Sequence, residues 1–279
     1  MPVPVRVMVR AGARFMRHEG DVMAGYVAYS VLLAMFPFLI FCVSLAGVLI
    51  GPAQSVEAVD FLFEMLPSHV AQTLAPVVNE VVSRSSRGVV TVSALVAIWT
   101  ASNGVEAFRI SLDRAYEVRS PRSYVMRRLM AVSVVLLGTL TFVVLGLAIV
   151  AGPLLIRLVE SGLDTSIPGV VSVVRYVVGI VVLLFFLMVL HRRLATSSSR
   201  PRRLWPGVLV SAALWLVGAL AFSAYLDYAP SYTVTYGTLA GVIITMLFLY
   251  LTGIVFIFGA EVNASLEASR EDGPAVAGE

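Results

Sequence analysis

There is no lysine in this chain; all 20 of its basic residues are arginine. A phosphate-binding loop of the Walker type needs its lysine, so that nucleotide site is excluded. Schiff-base catalysis goes with it. Cys42 is the one cysteine, so neither an intramolecular disulfide nor a cysteine metal centre can form. Histidine is scarce as well: His18, His69 and His191 lie on three separate segments. No His-Glu-x-x-His, no carboxylates at metal-ligand spacing and no nucleophile elbow occur. No metal, cofactor or catalytic set is therefore expected. Charge itself is thin, at 13% of 279 residues, where a soluble domain carries about 25%.

What fills the chain is apolar. Hydrophobic residues make up 59% and the mean hydropathy is +0.92. Six apolar runs stand out, at roughly 24–51, 89–110, 129–156, 170–190, 205–226 and 238–260. Each reaches the ~20 residues a helix needs to cross a hydrocarbon core. Inside lipid a backbone must satisfy its own polar groups, so such runs are helices. The expected fold is all-α: a polytopic membrane bundle of six transmembrane helices. An N-terminal arm (1–23) and a tail (265–279) flank a transmembrane domain at 24–264. The first run is too long for a signal-peptide core and is expected to be kept as a spanning helix.

Arginine placement predicts orientation. Sixteen arginines fall in the N-terminal arm, in 109–128, in 192–203 and in the tail; the alternate gaps hold four, Arg84, Arg87, Arg157 and Arg175. The rich set is expected in the cytoplasm, with both termini inside. The same arginines would lie near anionic headgroups, which explains the basic balance without nucleic acid. The external gap 52–88 reads as two short amphipathic helices, 55–66 and 69–85, broken at Pro67. They are either a lid packed on the bundle or a lipid-facing, gating element. Pro37 sits mid-run in the first helix and is a candidate hinge.

Ionisable groups at membrane depth are costly and normally face the bundle interior with a partner. Tyr26, Tyr29, Asn103, Glu106, Glu261 and Asn263 all fall in the cytoplasmic half of their helices. They are expected to converge on one polar pocket; alternatively, Glu106 and Glu261 only reach interfacial water or pair with nearby arginines. Asp227, Tyr232 and Tyr236 form a second, outer cluster, most of which an aromatic belt explains. His18 and His191 read as interfacial residues.

Three stretches carry a resemblance. AGYVAYSVLLAMFPFLI (Ala24 to Ile40), SNGVEAFRISLDRAYEV (Ser102 to Val118) and YGTLAGVIITMLFLYLTGIVFIFGAEVNASLE (Tyr236 to Glu267) are similar, in order and spacing, to segments of the YihY/BrkB family of bacterial inner-membrane proteins. That family was once labelled ribonuclease BN. Asp113 departs from it, standing where an asparagine is usual. The resemblance implies a multi-pass inner-membrane protein linked to envelope integrity. Together with the polar residues it suggests a non-enzymatic protein that transports or flips a lipid or amphiphilic envelope component, with membrane lipids as partners. The alternative from another class is a scaffold whose polar residues only lock helices together. A ribonuclease ranks third, because phosphodiester cleavage would want clustered metal ligands.

Overall fold

A computed structural model describes residues 3–50, 87–118, 123–139, 168–194, 203–228 and 239–271. Among these residues there is no strand. The helices are α1 (Val3–Arg17), α2 (Gly20–Ile50), α3 (Arg87–Ala115), α4 (124–139), α5 (Pro168–Leu194), α6 (Trp205–Tyr228) and α7 (Ala240–Glu271). Every expected apolar run is helical wherever it is described. Two stretches, Trp205–Leu226 and Ala240–Ser269, are long and apolar enough by themselves to cross a membrane. Of the gap 52–88, expected to be external, residues 52–86 lie outside the described residues and 87–88 begin α3; Tyr232, Tyr236 and the second half of the 129–156 run also lie outside them. Asp227 is the penultimate residue of α6, with its side chain outside the description. Pro37 is half-buried within α2, which is assigned as helix on both sides of it.

Within the arm expected at 1–23, Val3–Arg17 form a helix, and α2 already starts at Gly20. Arg6, Arg10, Arg14 and Arg17 recur at helical spacing, and Val7, Ala11 and Phe15 form a second stripe beside them. That stripe packs on α7: Val7 and Ala11 are buried with Val262, and the Phe15 and Phe258 rings meet edge-on at 6.3 Å.

The hub is α7, which packs against α1, α2, α3 and α6. Small residues let it do so. A Cβ on Gly253 would sit 3.1 Å from the backbone of Ala24 in α2. On the α6 side, a Cβ on Gly207 would collide with the Gly259 carbonyl, and one on Gly259 with the Ser211 hydroxyl. Close backbone approach through small residues is how helices associate when lipid removes the hydrophobic drive between them. Asn263 completes this contact. Its Oδ1 accepts from the Gly207 amide (2.7 Å), an N–H of the first turn of α6 that has no helical partner of its own, and its Nδ2 donates to the Leu204 carbonyl (3.1 Å). Large apolar side chains point outward instead: Leu220 on α6 is 74% exposed.

Candidate functional site

The arginine-rich end of the bundle holds two linked ionic clusters. The first joins α1, α3 and α7. Glu261, fully buried on α7, accepts from Arg14 Nε (3.0 Å) through Oε2 and lies 2.6 Å from His18 Nδ1 through Oε1. Arg14 also reaches the Ala115 carbonyl (2.9 Å), an orphan acceptor at the end of α3, and the Glu117 carboxylate (3.0 Å). The second nitrogen of His18 lies 3.3 Å from Glu117. Both ring nitrogens thus face carboxylate oxygens, the arrangement in which a doubly protonated ring donates twice. Burying a carboxylate costs several kcal/mol unless it is paired, and here it is paired on both oxygens.

Two glutamates close this clasp from strained backbone. Glu19, in the turn after α1, and Glu117, in the turn after α3, have φ of 55° and 54°. The α3 end is a Schellman turn, with Val118 N bonded to the Asp113 carbonyl (2.8 Å) and Glu117 N to that of Arg114 (3.0 Å). Glycine is usual at that left-handed position, and a residue with a Cβ costs about 1–2 kcal/mol there. Each glutamate reaches the other helix: Glu19 accepts from Arg114 (2.8 Å) and Glu117 from Arg14. The C-terminal ends of α1 and α3 therefore grip one another reciprocally. Tyr116, between them, is buried with no hydrogen-bond partner for its hydroxyl among the described residues, and burial pushes its phenol well up.

The second cluster runs along α3. Arg109 is buried and donates to both oxygens of Glu106 (2.8 and 2.7 Å) one turn back, and to Asp113 one turn on. Arg127 of α4 lies 3.6 Å from Glu106. Arg128 donates to Asn103 Oδ1 (2.8 Å) and to the Trp99 carbonyl (3.0 Å), with its guanidinium 4.0 Å over the Trp99 ring.

Two cavities border α3. One is apolar, about 810 Å³, between α2, α3, α4, α5 and α6. Val31, Phe38, Phe108, Val135, Phe186 and Trp215 contribute walls from all five helices. The Trp215 indole N–H is occupied by Thr252 Oγ1 (3.1 Å). The other cavity is charged, about 410 Å³, and lined by Arg109, Asp113, Arg114, Glu117 and Arg127 with Ile110 and Val118. Phe108 lines the first and Arg109 the second, one residue apart on α3. Three arginines and two carboxylates line the charged cavity, and Glu106 and Glu19 stand behind the arginines as further counter-charges.

The six residues expected in one polar pocket are instead spread over several faces. Glu261 meets α1 and Asn263 meets α6, because two residues along a helix turn the side chain by about 200°. Glu106 serves Arg109. Asn103 is exposed and tethers α4. Tyr26 and Tyr29 are 40% and 54% exposed, since Ala24, Val27 and Ala28 occupy the packed face of α2. The histidines also depart from expectation. His18 is in the clasp. His191 is fully buried, with Nδ1 donating to the Leu187 carbonyl (2.8 Å) and its ring 4.5 Å from Phe256. Sequence reasoning missed Arg14, Glu117 and the apolar cavity. The signal for Arg14 was its place one turn before His18 on a helix with an apolar flank.

Fold and site together define a helical membrane protein with a charged end and an apolar cavity among its helices. The family model for virulence factor BrkB matches residues 11–278, and the chain belongs to that family. A Bacillus subtilis (strain 168) protein bearing the provisional label ribonuclease-like protein YfkH is 28% identical over 93% of this chain and 94% of its own length. UPF0761 membrane proteins from Pseudoalteromonas atlantica (24% identical, covering 94% of this chain and 86% of that protein) and Cronobacter sakazakii (27%, 91% and 88%) are similar throughout. No solved structure matches.

Proposed function

We propose that the chain binds an anionic amphiphile of the bacterial envelope and moves it between membrane leaflets, with both termini in the cytoplasm. The observation that carries this reading is the pairing of an apolar cavity of about 810 Å³ with an arginine-bearing, charged one of about 410 Å³, lined by consecutive residues of α3. Ligand sites are typically concave, mostly apolar and of about 300–1,000 Å³, with a few polar groups that fix orientation. An acyl chain fits the first cavity and an acidic headgroup the second. Arg127 is suited to meet it: its Nε is buried without a hydrogen-bond partner, and its nearest carboxylate is 3.6 Å away. Arg109, by contrast, is held on both sides and shapes the cavity floor.

A scaffold is the second reading, and one observation favours it. Glu261, expected to carry substrate or proton handling, is saturated by Arg14 and His18. It locks helices, and the proposed substrate site does not include it. A ribonuclease has no support from the geometry: among the described residues no group of three His, Cys, Asp or Glu side chains could hold a metal.

The test is leaflet exchange in proteoliposomes, read with a headgroup-labelled anionic lipid and a membrane-impermeant reductant. Gly179 lines the apolar cavity with nothing within 4 Å of its would-be Cβ, so Gly179→Leu starts its side chain in open space and takes up cavity volume. Exchange above that of empty liposomes, lost in folded Gly179→Leu protein, supports transport. Exchange at the background rate in wild type leaves the scaffold.

A further inference from the structure

On α1 the arginines and the exposed apolar residues occupy separate stripes. At 100° per residue, Arg6, Arg10 and Arg17 fall within about 40° of one another, and so do Val5, Val9 and Met16. Val7, Ala11 and Phe15 form the third stripe and are packed against the bundle. Val5, Val9 and Met16 are 44%, 61% and 72% exposed. They cover no other part of the described chain, yet they sit beside the arginine stripe and not opposite it.

The height of α1 on the bundle says what covers that face. Val7 and Ala11 pack near Val210 of α6 as well as Val262 of α7. Val210 lies five residues, about 7.5 Å, into α6, and α6 opens with the exposed Trp205. Tryptophan at the start of a spanning helix marks the membrane boundary. So the packed stripe of α1 shares a cluster with the opening turns of α6, close to that boundary. A helix there with an apolar flank and adjoining arginines has the composition of one lying in the interface of an anionic membrane.

We propose that α1 seats Val5, Val9 and Met16 at the headgroup–acyl boundary and holds anionic phospholipid headgroups with Arg6, Arg10 and Arg17. Arg14 and His18 lie on the side of the same helix turned away from Val5, Val9 and Met16 and hold Glu261, so headgroup binding by α1 also steadies the clasp. This inference does not depend on the proposed transport.

The test uses the full chain with Cys42→Ala, in nanodiscs of phosphatidylcholine alone or mixed with phosphatidylglycerol. A fluorophore on Val9→Cys or Met16→Cys reports depth. The expected result is quenching by quenchers attached near the lipid headgroup and protection from aqueous iodide, with a thermal midpoint that rises with phosphatidylglycerol. In Arg6→Gln/Arg17→Gln, which touches neither the clasp nor the packed stripe, the enrichment of phosphatidylglycerol around the protein should fall about fivefold per arginine removed, from ~1 kcal/mol each. Labels that iodide quenches freely in every nanodisc would overturn the proposal. So would label-to-label contact between two copies, which would make a second chain the occupant.

Discussion

Replacing the Glu261 carboxylate with an amide would leave the Arg14 guanidinium and the His18 ring with only the exposed Glu117 carboxylate as a counter-charge. Removing one partner of a buried ion pair costs roughly 3–5 kcal/mol. Glu261→Gln and Arg14→Gln are each expected to lower the thermal midpoint of the purified protein. The double substitution should cost less than the sum, because both remove the same contact. Additive losses would mean that the pair is not coupled. At the turn after α3, Glu117→Gly relieves the left-handed backbone but removes the carboxylate, whereas Glu117→Gln keeps the strain and removes only the charge. The glycine variant should therefore be the more stable of the two, as thermal denaturation would read. That Glu261 is buried and paired was legible in the sequence, since a carboxylate in an apolar run needs a partner. Its partners were not. Arg14 lies 247 residues away, and no local spacing links an arginine in a leading segment to the last helix.

Helix packing here depends on the absence of side chains. Gly207→Ala would place a Cβ against the Gly259 carbonyl and the Asn263 amide, which hold α6 to α7. It should reduce the yield of monodisperse protein sharply. Gly12→Ala on α1 meets nothing within 4 Å, so it should be neutral or stabilise by up to about 1 kcal/mol through helix propensity. Equal behaviour of the two variants would remove the argument from close approach. Asn263→Ala should also weaken the α6–α7 joint, by about 1–3 kcal/mol for groups left unpaired. The helices of the apolar runs were legible because long apolar runs of a membrane protein admit only helix. The first helix was not, because its arginines drew attention to charge while the stripe of Val7, Ala11 and Phe15 went unweighed. The single polar pocket failed on angle: Glu261 and Asn263 are two residues apart and so face different neighbours.

At the scale of the whole molecule, membership of the BrkB family and the helical architecture agree with what hydropathy and three family-like stretches imply. The orientation is a proposal that rests on the sixteen-to-four arginine split. Single cysteines at Ser55, Ser123 and Ser198 in a Cys42→Ala background should place Ser55 outside and the other two inside, read by impermeant labelling of intact cells. Labelling of Ser123 or Ser198 without Ser55 would invert it. The apolar cavity could not be read from hydropathy, since residues lining a cavity and residues facing lipid are equally apolar; only the arrangement of five helices separates Phe186 from Leu220. The cavity pair is the centre of the account, and native mass spectrometry of the protein extracted with its own lipids addresses it most directly. Wild type should retain an acidic, acyl-bearing molecule. Gly179→Leu should lose it, and Arg127→Gln should lose the preference for an acidic headgroup while still holding an acyl chain. An identical set of retained lipids in all three proteins, or none in wild type, would contradict the account.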